Sequence, residues 1–217
     1  KNVIYWQLKH VYKHINFSRI AVRNNHAITE TLMLTISELL FPFIPESKLW
    51  SKRGRKWFEE EVDYQVYDDG TFLQFSMNYH RVLIQLLTFG ISITENCKKP
   101  FSKNVKAKAY RSVNFLYQCL QEENGELPNY GSNDGALFFP FSTSEYRDYR
   151  PQLNALHHLL TGVDLFPESN EEKFWFGKIV IADKLAPIEK VIGTCSFQNG
   201  GYYTVRTVNS FVFLRCG

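Results

Sequence analysis

Apolar residues recur at helical spacing over most of this chain, and breaks that contain proline or glycine divide the pattern into helix-length pieces. The first piece shows the period clearly, with Ile4, Leu8 and Val11 on one face. The pattern predicts a mainly α fold, with helices at about 2–18, 24–41, 46–66, 75–95, 103–122, 151–161 and 170–177.

The pattern changes near the end of the sequence. Over 194–217, apolar and polar residues alternate with the period of a strand around the turn Asn199-Gly200-Gly201. Two or three β-strands are predicted, and two strands with open edges are not stable alone. We therefore expect a helical part at 1–185, the start of a second domain at 186–217, and a longer polypeptide as the whole protein.

Composition excludes several classes of function. The net charge of +3 over 217 residues predicts no nucleic-acid partner. The four cysteines lack CxxC spacing, so no zinc or redox motif and no metal site is predicted. No apolar run reaches the length of a membrane span.

In two helices, polar residues occupy the N-terminal end of the face that is predicted to point inward. Tyr79 begins the apolar face of the fourth helix, with His80 at its edge. In the second helix Asn25 shares the apolar face, flanked by His26. The side of the fourth helix opposite Tyr79 carries Arg81, Gln85, Thr88 and Ser92.

Helix direction brings these residues together. Helices joined by short turns run antiparallel, so the second and fourth helices are parallel and begin at the same end of the array. The long loop at 128–151 follows the fifth helix and should lie at that end too. This predicts one site from Arg19, Arg23, Asn25, His26, Asn78, Tyr79, His80, Asn133, Asp134, Arg147 and Arg150.

Each candidate also has an ordinary structural interpretation. Asn25 fits a helix N-cap, and Tyr79 fits a core tyrosine. The two histidines fit satisfied side chains, Asn133-Asp134-Gly135 fits a simple turn, and the arginines fit surface charges. Only their convergence at one end of the helices favours a functional site.

The candidate side chains suit β-elimination on a uronic acid. An amide or a cation must neutralise the carboxylate before the adjacent C–H can lose its proton. A base takes that proton, and an acid protonates the leaving glycosidic oxygen. We expect the positive helix end to favour the phenolate of Tyr79.

Four segments resemble the heparinase II/III-like polysaccharide lyases. They are RNNHAITETL at 23–32, DYQVYDDGTFLQFSMNYHR at 63–81, YGSNDGALFFP at 130–140 and FQNGGYYTVRTVNSFVFLRCG at 197–217. The resemblance implies an incomplete (α/α) toroid of antiparallel helix hairpins, followed by the first strands of an antiparallel β-sandwich. The cleft of that family lies between the two parts.

The resemblance also implies roles for single residues. Asn25 is similar to the carboxylate-neutralising Asn, and Tyr79 to the acid–base Tyr, with His80 beside it. His26 resembles a substrate-binding neighbour, and Asn133-Asp134 a loop motif near the cleft. The family draws a further base, and often a metal, from its sandwich domain. We therefore expect no cofactor in this chain, with a structural divalent metal possible in the rest of the sandwich.

These observations favour a lyase that cleaves a glycosaminoglycan- or alginate-like polysaccharide. The alternative is a non-catalytic glycan-binding or polysaccharide-assembly protein on the same scaffold. A helical-repeat adaptor would need a repeat of fixed period, and the sequence shows none. The resemblance implies a periplasmic or secreted location and an acidic polysaccharide as partner.

Overall fold

Helices make up most of the structure, and three strands follow near its end. The computed structural model describes residues 2–176, 181 and 183–216. The helices are α1 Asn2–Asn16, a π-helical segment Phe17–Val22, α2 Asn25–Leu40, α3 Ser47–Gln65, α4 Met77–Asn96, α5 Lys103–Cys119, α6 Arg150–Thr161 and α7 Glu171–Phe176. The strands are β1 Gly193–Phe197, β2 Tyr202–Arg206 and β3 Phe211–Arg215. The predicted mainly α fold with antiparallel strands after it is confirmed.

The start of α4 and the end of α5 differ from the predicted positions for local reasons. α4 begins at Met77 because Phe75 adopts a left-handed φ of 49° and the Ser76 side chain caps the helix. α5 ends earlier than predicted, because the chain turns after Leu120 and Gln121 pairs with Glu126.

The α2–α3 contact is close because α3 carries a glycine there. A Cβ on Gly54 would lie 2.6 Å from the backbone nitrogen of Thr35 in α2. Side chains from both helices, among them Leu32 and Phe58, enter one apolar core that continues through α4, α5 and α6. This packing holds the starts of α2 and α4 in fixed positions.

α4 is buried on almost every side. The side opposite the apolar stripe is buried as well, because α6, α7 and the 128–151 loop pack against it. Arg81 and Gln85 are each 1% exposed, and Ser92 is 4% exposed. These polar groups therefore bond to protein rather than to water.

The sheet is antiparallel with the order β1-β2-β3, and the predicted turn at Asn199-Gly200-Gly201 joins β1 to β2. The turn contacts the helical part, where the Gly200 N–H donates to Asp69 Oδ2 at 3.1 Å. Tyr202 packs on Phe115 of α5, with ring centroids 5.1 Å apart. The domain boundary at 185 and the assignment of the helices to an incomplete (α/α) toroid stay predictions.

Candidate active site

The start of α2 uses two adjacent asparagines differently. Asn24 is the N-cap, and its side chain accepts from the His26 N–H at 3.0 Å. Asn25 is the first helical residue and is 8% exposed. Within the described residues the structure gives the Asn25 amide side chain no hydrogen-bond partner. Asn25 is therefore not the cap, and its amide is left free for a ligand.

The starts of α2 and α4 lie at the same end, as predicted. Gln74, just ahead of α4, accepts from the Asn25 N–H at 2.9 Å. Gln65, at the end of α3, donates to the Asn24 carbonyl at 3.0 Å. These two glutamines join the start of α2 to the end of α3 and to the residues just ahead of α4.

The 128–151 loop is tied to the start of α4. The Ser76 hydroxyl caps α4 by accepting from the Tyr79 N–H at 3.1 Å, and it donates to the Ser132 carbonyl at 2.5 Å. The Met77 N–H donates to the Tyr130 carbonyl at 3.1 Å. The predicted approach of the loop to this helix end is confirmed.

Tyr79 meets Asp134 at the surface. The Tyr79 hydroxyl donates to Asp134 Oδ2 at 2.6 Å, and Asp134 Oδ1 accepts from the Ala136 N–H at 3.1 Å. Tyr79 is half-buried, whereas Asn133 and Asp134 are exposed. The phenol is therefore accessible to a large substrate.

The protonation of this pair differs from expectation. The hydrogen bond to Asp134 raises the pKa of Tyr79, and the same bond lowers the pKa of Asp134. The expectation that the helix end favours the phenolate is therefore wrong for this structure, because an adjacent carboxylate opposes it. At neutral pH Tyr79 is a phenol beside an ionised carboxylate.

Asn78 is held by a buried polar network. Arg81 Nη2 donates to Asn78 Oδ1 at 2.8 Å, and the Tyr146 hydroxyl lies 2.8 Å from the same oxygen. The Tyr146 hydroxyl also lies 2.7 Å from Asn133 Oδ1. Asn78 is 2% exposed, so it supports the loop rather than facing solvent.

Side chains on the polar side of α4 donate hydrogen bonds to backbone carbonyls of the loop. Arg81 donates to the Tyr146 carbonyl, and Gln85 Nε2 donates to the Phe139 carbonyl at 2.8 Å. Gln85 also donates to Glu172 Oε1 at 3.1 Å, and Gln152 donates to that oxygen at 2.8 Å. Burial raises the pKa of Glu172 to about 7. One network thus connects α4, α6, α7 and the loop.

His80 lies in the core and not at the surface. It is 2% exposed, and its ring stacks on Phe115 at 5.4 Å and lies 5.7 Å from Phe72. Burial lowers its pKa to about 3, so the ring is neutral at neutral pH. The catalytic role expected for His80 requires contact with substrate, and this location gives it a packing role instead.

The four candidate arginines are all paired with carboxylates of the chain. Arg23 Nε lies 3.3 Å from Glu61 Oε2, and its guanidinium stacks on Tyr64. The other pairs are Arg19 with Glu60 and Glu61, Arg147 with Glu126, and Arg150 with Asp148. His26 is exposed beside Asn25. No cluster of three or more potential metal ligands occurs in the described residues.

Sequence reasoning missed the residues that support the site, namely Gln74, Arg81, Gln85, Tyr146 and Glu172. A signal existed for two of them. Arg81 and Gln85 are polar residues in a helix whose other residues are mostly apolar. Such residues in a buried helix need partners inside the protein.

Comparison with known families identifies the chain. The family model described as Heparinase II/III N-terminus matches residues 3–174, which include both helix starts and the whole 128–151 loop. Comparisons with curated proteins and with solved structures give no match. None of the described helices is long and apolar enough to cross a membrane. The match confirms the resemblance seen in the sequence, and the chain belongs to the heparinase II/III N-terminal family.

Proposed function

We propose that this chain forms the helical side of the active site of a lyase that cleaves an acidic polysaccharide by β-elimination. The accessible Tyr79 hydroxyl carries the proposal, since it lies at the helix end where the Asn25 amide is free. Membership of the heparinase II/III family supports the lyase class. A glycosaminoglycan-like or alginate-like polymer would supply the uronic acid.

In this proposal Asn25 and Tyr79 act on different parts of one uronate. The Asn25 amide donates to the substrate carboxylate and makes the adjacent C–H more acidic. A base takes the proton from that carbon, and Tyr79 donates its own proton to the glycosidic oxygen that leaves. The phenol form in the structure suits this donation. His80 has no part in proton transfer, because it lies in the core.

Other predicted residues bind the polymer rather than react with it. His26 and Asn133 are exposed next to Asn25 and Tyr79 and can contact sugar hydroxyls. Arg23, Arg147 and Arg150 are proposed to contact acidic groups along the polymer, and each is paired with a carboxylate of the chain in the free protein. No cofactor is assigned, and we propose a periplasmic or secreted location, where a lyase would meet such a polymer.

The test is formation of the unsaturated uronate product, followed by its ultraviolet absorbance on a panel of uronic-acid polymers. The full-length protein is compared with Tyr79→Phe, which should lose about 10²-fold or more in kcat because the acid is removed. Tyr64→Phe is the matched control, since Tyr64 is exposed and a phenylalanine ring keeps the stacking with Arg23.

The opposite result has a clear meaning. If no polymer yields product but glycans still bind, the protein is a non-catalytic glycan-binding or polysaccharide-assembly protein. If product forms equally well with Tyr79→Phe, the polymer is cleaved by groups other than Tyr79.

A further inference from the structure

The Asp134 carboxylate is held in place against Tyr79. Its Oδ1 accepts from the Ala136 N–H at 3.1 Å, which forms a local turn, and its Oδ2 accepts from the Tyr79 hydroxyl at 2.6 Å. Close by, Gly131 has φ of 81° and lies against Ser76, where a Cβ would be 2.3 Å from the Phe75 carbonyl oxygen. The loop therefore holds this carboxylate within hydrogen-bond distance of the phenol.

A phenol that takes a proton from carbon must give up its own proton to another group. Beside Asp134 a free phenolate is unfavourable, since the hydrogen bond raises the pKa of Tyr79. The same bond lowers the pKa of Asp134, so the carboxylate is ionised at neutral pH, and its Oδ2 already accepts the hydrogen bond of the Tyr79 hydroxyl. Within the described residues Asp134 is the acceptor that the structure gives to the Tyr79 hydroxyl.

Building on the lyase function proposed above, we propose that Tyr79 and Asp134 form a proton relay that lets one tyrosine serve as both base and acid. The Tyr79 oxygen takes the proton from the carbon next to the substrate carboxylate, while the original Tyr79 proton moves to Asp134 Oδ2. The electron pair of the broken C–H bond forms the C=C bond as the C–O bond to the leaving sugar breaks. The leaving oxygen takes a proton from Tyr79, and Asp134 returns its proton to the Tyr79 oxygen.

This relay restores both residues at the end of each turnover and needs no other reactant. It also completes an acid–base site within the described residues. The buried His80 could not act as the second base, because its ring does not reach the surface.

Asp134→Asn in the full-length protein tests the relay. The amide oxygen can still accept from the Ala136 N–H, so the loop turn is kept, but an amide cannot store the proton. We expect kcat to fall by about 10²-fold or more, with KM changed only a few-fold. Glu145→Gln is the matched control, since it removes one exposed carboxylate from the same loop and should leave kcat unchanged.

A chemical rescue separates proton transfer from simple positioning. Formate added to Asp134→Ala should restore part of kcat, at least about tenfold, because it supplies a carboxylate at the vacated place. Formate should not help Tyr79→Phe. A kcat for Asp134→Asn close to that of the parent protein, or no rescue of Asp134→Ala by formate, would overturn the relay. Equal activity of the parent and Tyr79→Phe would instead refute the proposed role of Tyr79.

Discussion

At the residue scale, the two asparagines at the start of α2 have different roles: one stabilises the helix, and the other has a proposed role in the reaction. The Asn24 side chain accepts a helix N–H, whereas the structure shows no partner for the Asn25 side chain within the described residues. The main-chain N–H of Asn25 donates to Gln74, and this bond does not depend on the side chain at residue 25. The same residue type therefore has a structural role at one position and a proposed chemical role at the next.

The alanine variants of these two residues should behave in opposite ways. Asn24→Ala removes the cap and should lower the free energy of unfolding by about 1 kcal/mol. Asn25→Ala should change stability little but reduce kcat/KM by about 10²-fold, because a donor to the substrate carboxylate is lost. Urea denaturation and product absorbance measure the two effects. A large stability loss in Asn25→Ala would show that its amide is structural.

At the scale of elements, Ser76 joins a helix to a loop. Its hydroxyl caps α4 and donates to Ser132, so the position of Tyr79 and that of the 128–151 loop depend on one side chain. Ser102 also caps a helix, with its hydroxyl 3.5 Å from the Val105 N–H at the start of α5. Comparison of the two serines separates capping from loop attachment.

Ser76→Ala should lower the free energy of unfolding by about 1–2 kcal/mol through the lost cap. It should also free the loop, so limited proteolysis should cut within 128–151 faster than in the parent protein. Ser102→Ala should cost no more than about 1 kcal/mol and leave the cleavage rate of the loop unchanged. Equal cleavage rates in the two variants would mean that other contacts hold the loop.

At the scale of the whole molecule, two buried groups make the free energy of unfolding change with pH in opposite directions. The pKa of Glu172 is raised from 4.5 to about 7, so the folded state binds more protons in that window and stability falls as pH rises through it. The pKa of His80 is lowered from 6.5 to about 3, so the unfolded state binds more protons there and stability rises with pH. The two effects oppose each other where the windows overlap.

In Glu172→Gln, the rise of the free energy of unfolding with pH that His80 causes should no longer be opposed by Glu172. The amide stays neutral, so the variant should gain stability relative to the parent protein as pH rises from about 5 to about 8, by on the order of 2 kcal/mol. Urea denaturation at both pH values measures the difference. The exposed Glu168→Gln should show no such trend. A pH-independent difference for Glu172→Gln would mean that Glu172 is already ionised in the folded protein.

Much of the architecture was predictable because its causes are local. Helical spacing, the turn at Asn199-Gly200-Gly201 and the alternation after it depend on neighbouring residues, and the structure confirms all three. The meeting of the α2 and α4 starts was predictable as well, since short connections alternate helix direction. Helix ends were less accurate where a left-handed residue such as Phe75 intervenes.

The helices, the strands, the family and the end of the array where the starts of α2 and α4 meet the loop could all be predicted from the sequence alone. Tertiary structure decided which residues there face solvent and which are protonated. His80 sits next to Tyr79 in sequence, yet it is enclosed by Phe72 and Phe115. Tyr79 donates a hydrogen bond to Asp134, which lies in a distant loop. Periodicity is a property of neighbours along the chain, whereas desolvation and hydrogen bonds between distant residues depend on contacts that only the folded chain creates.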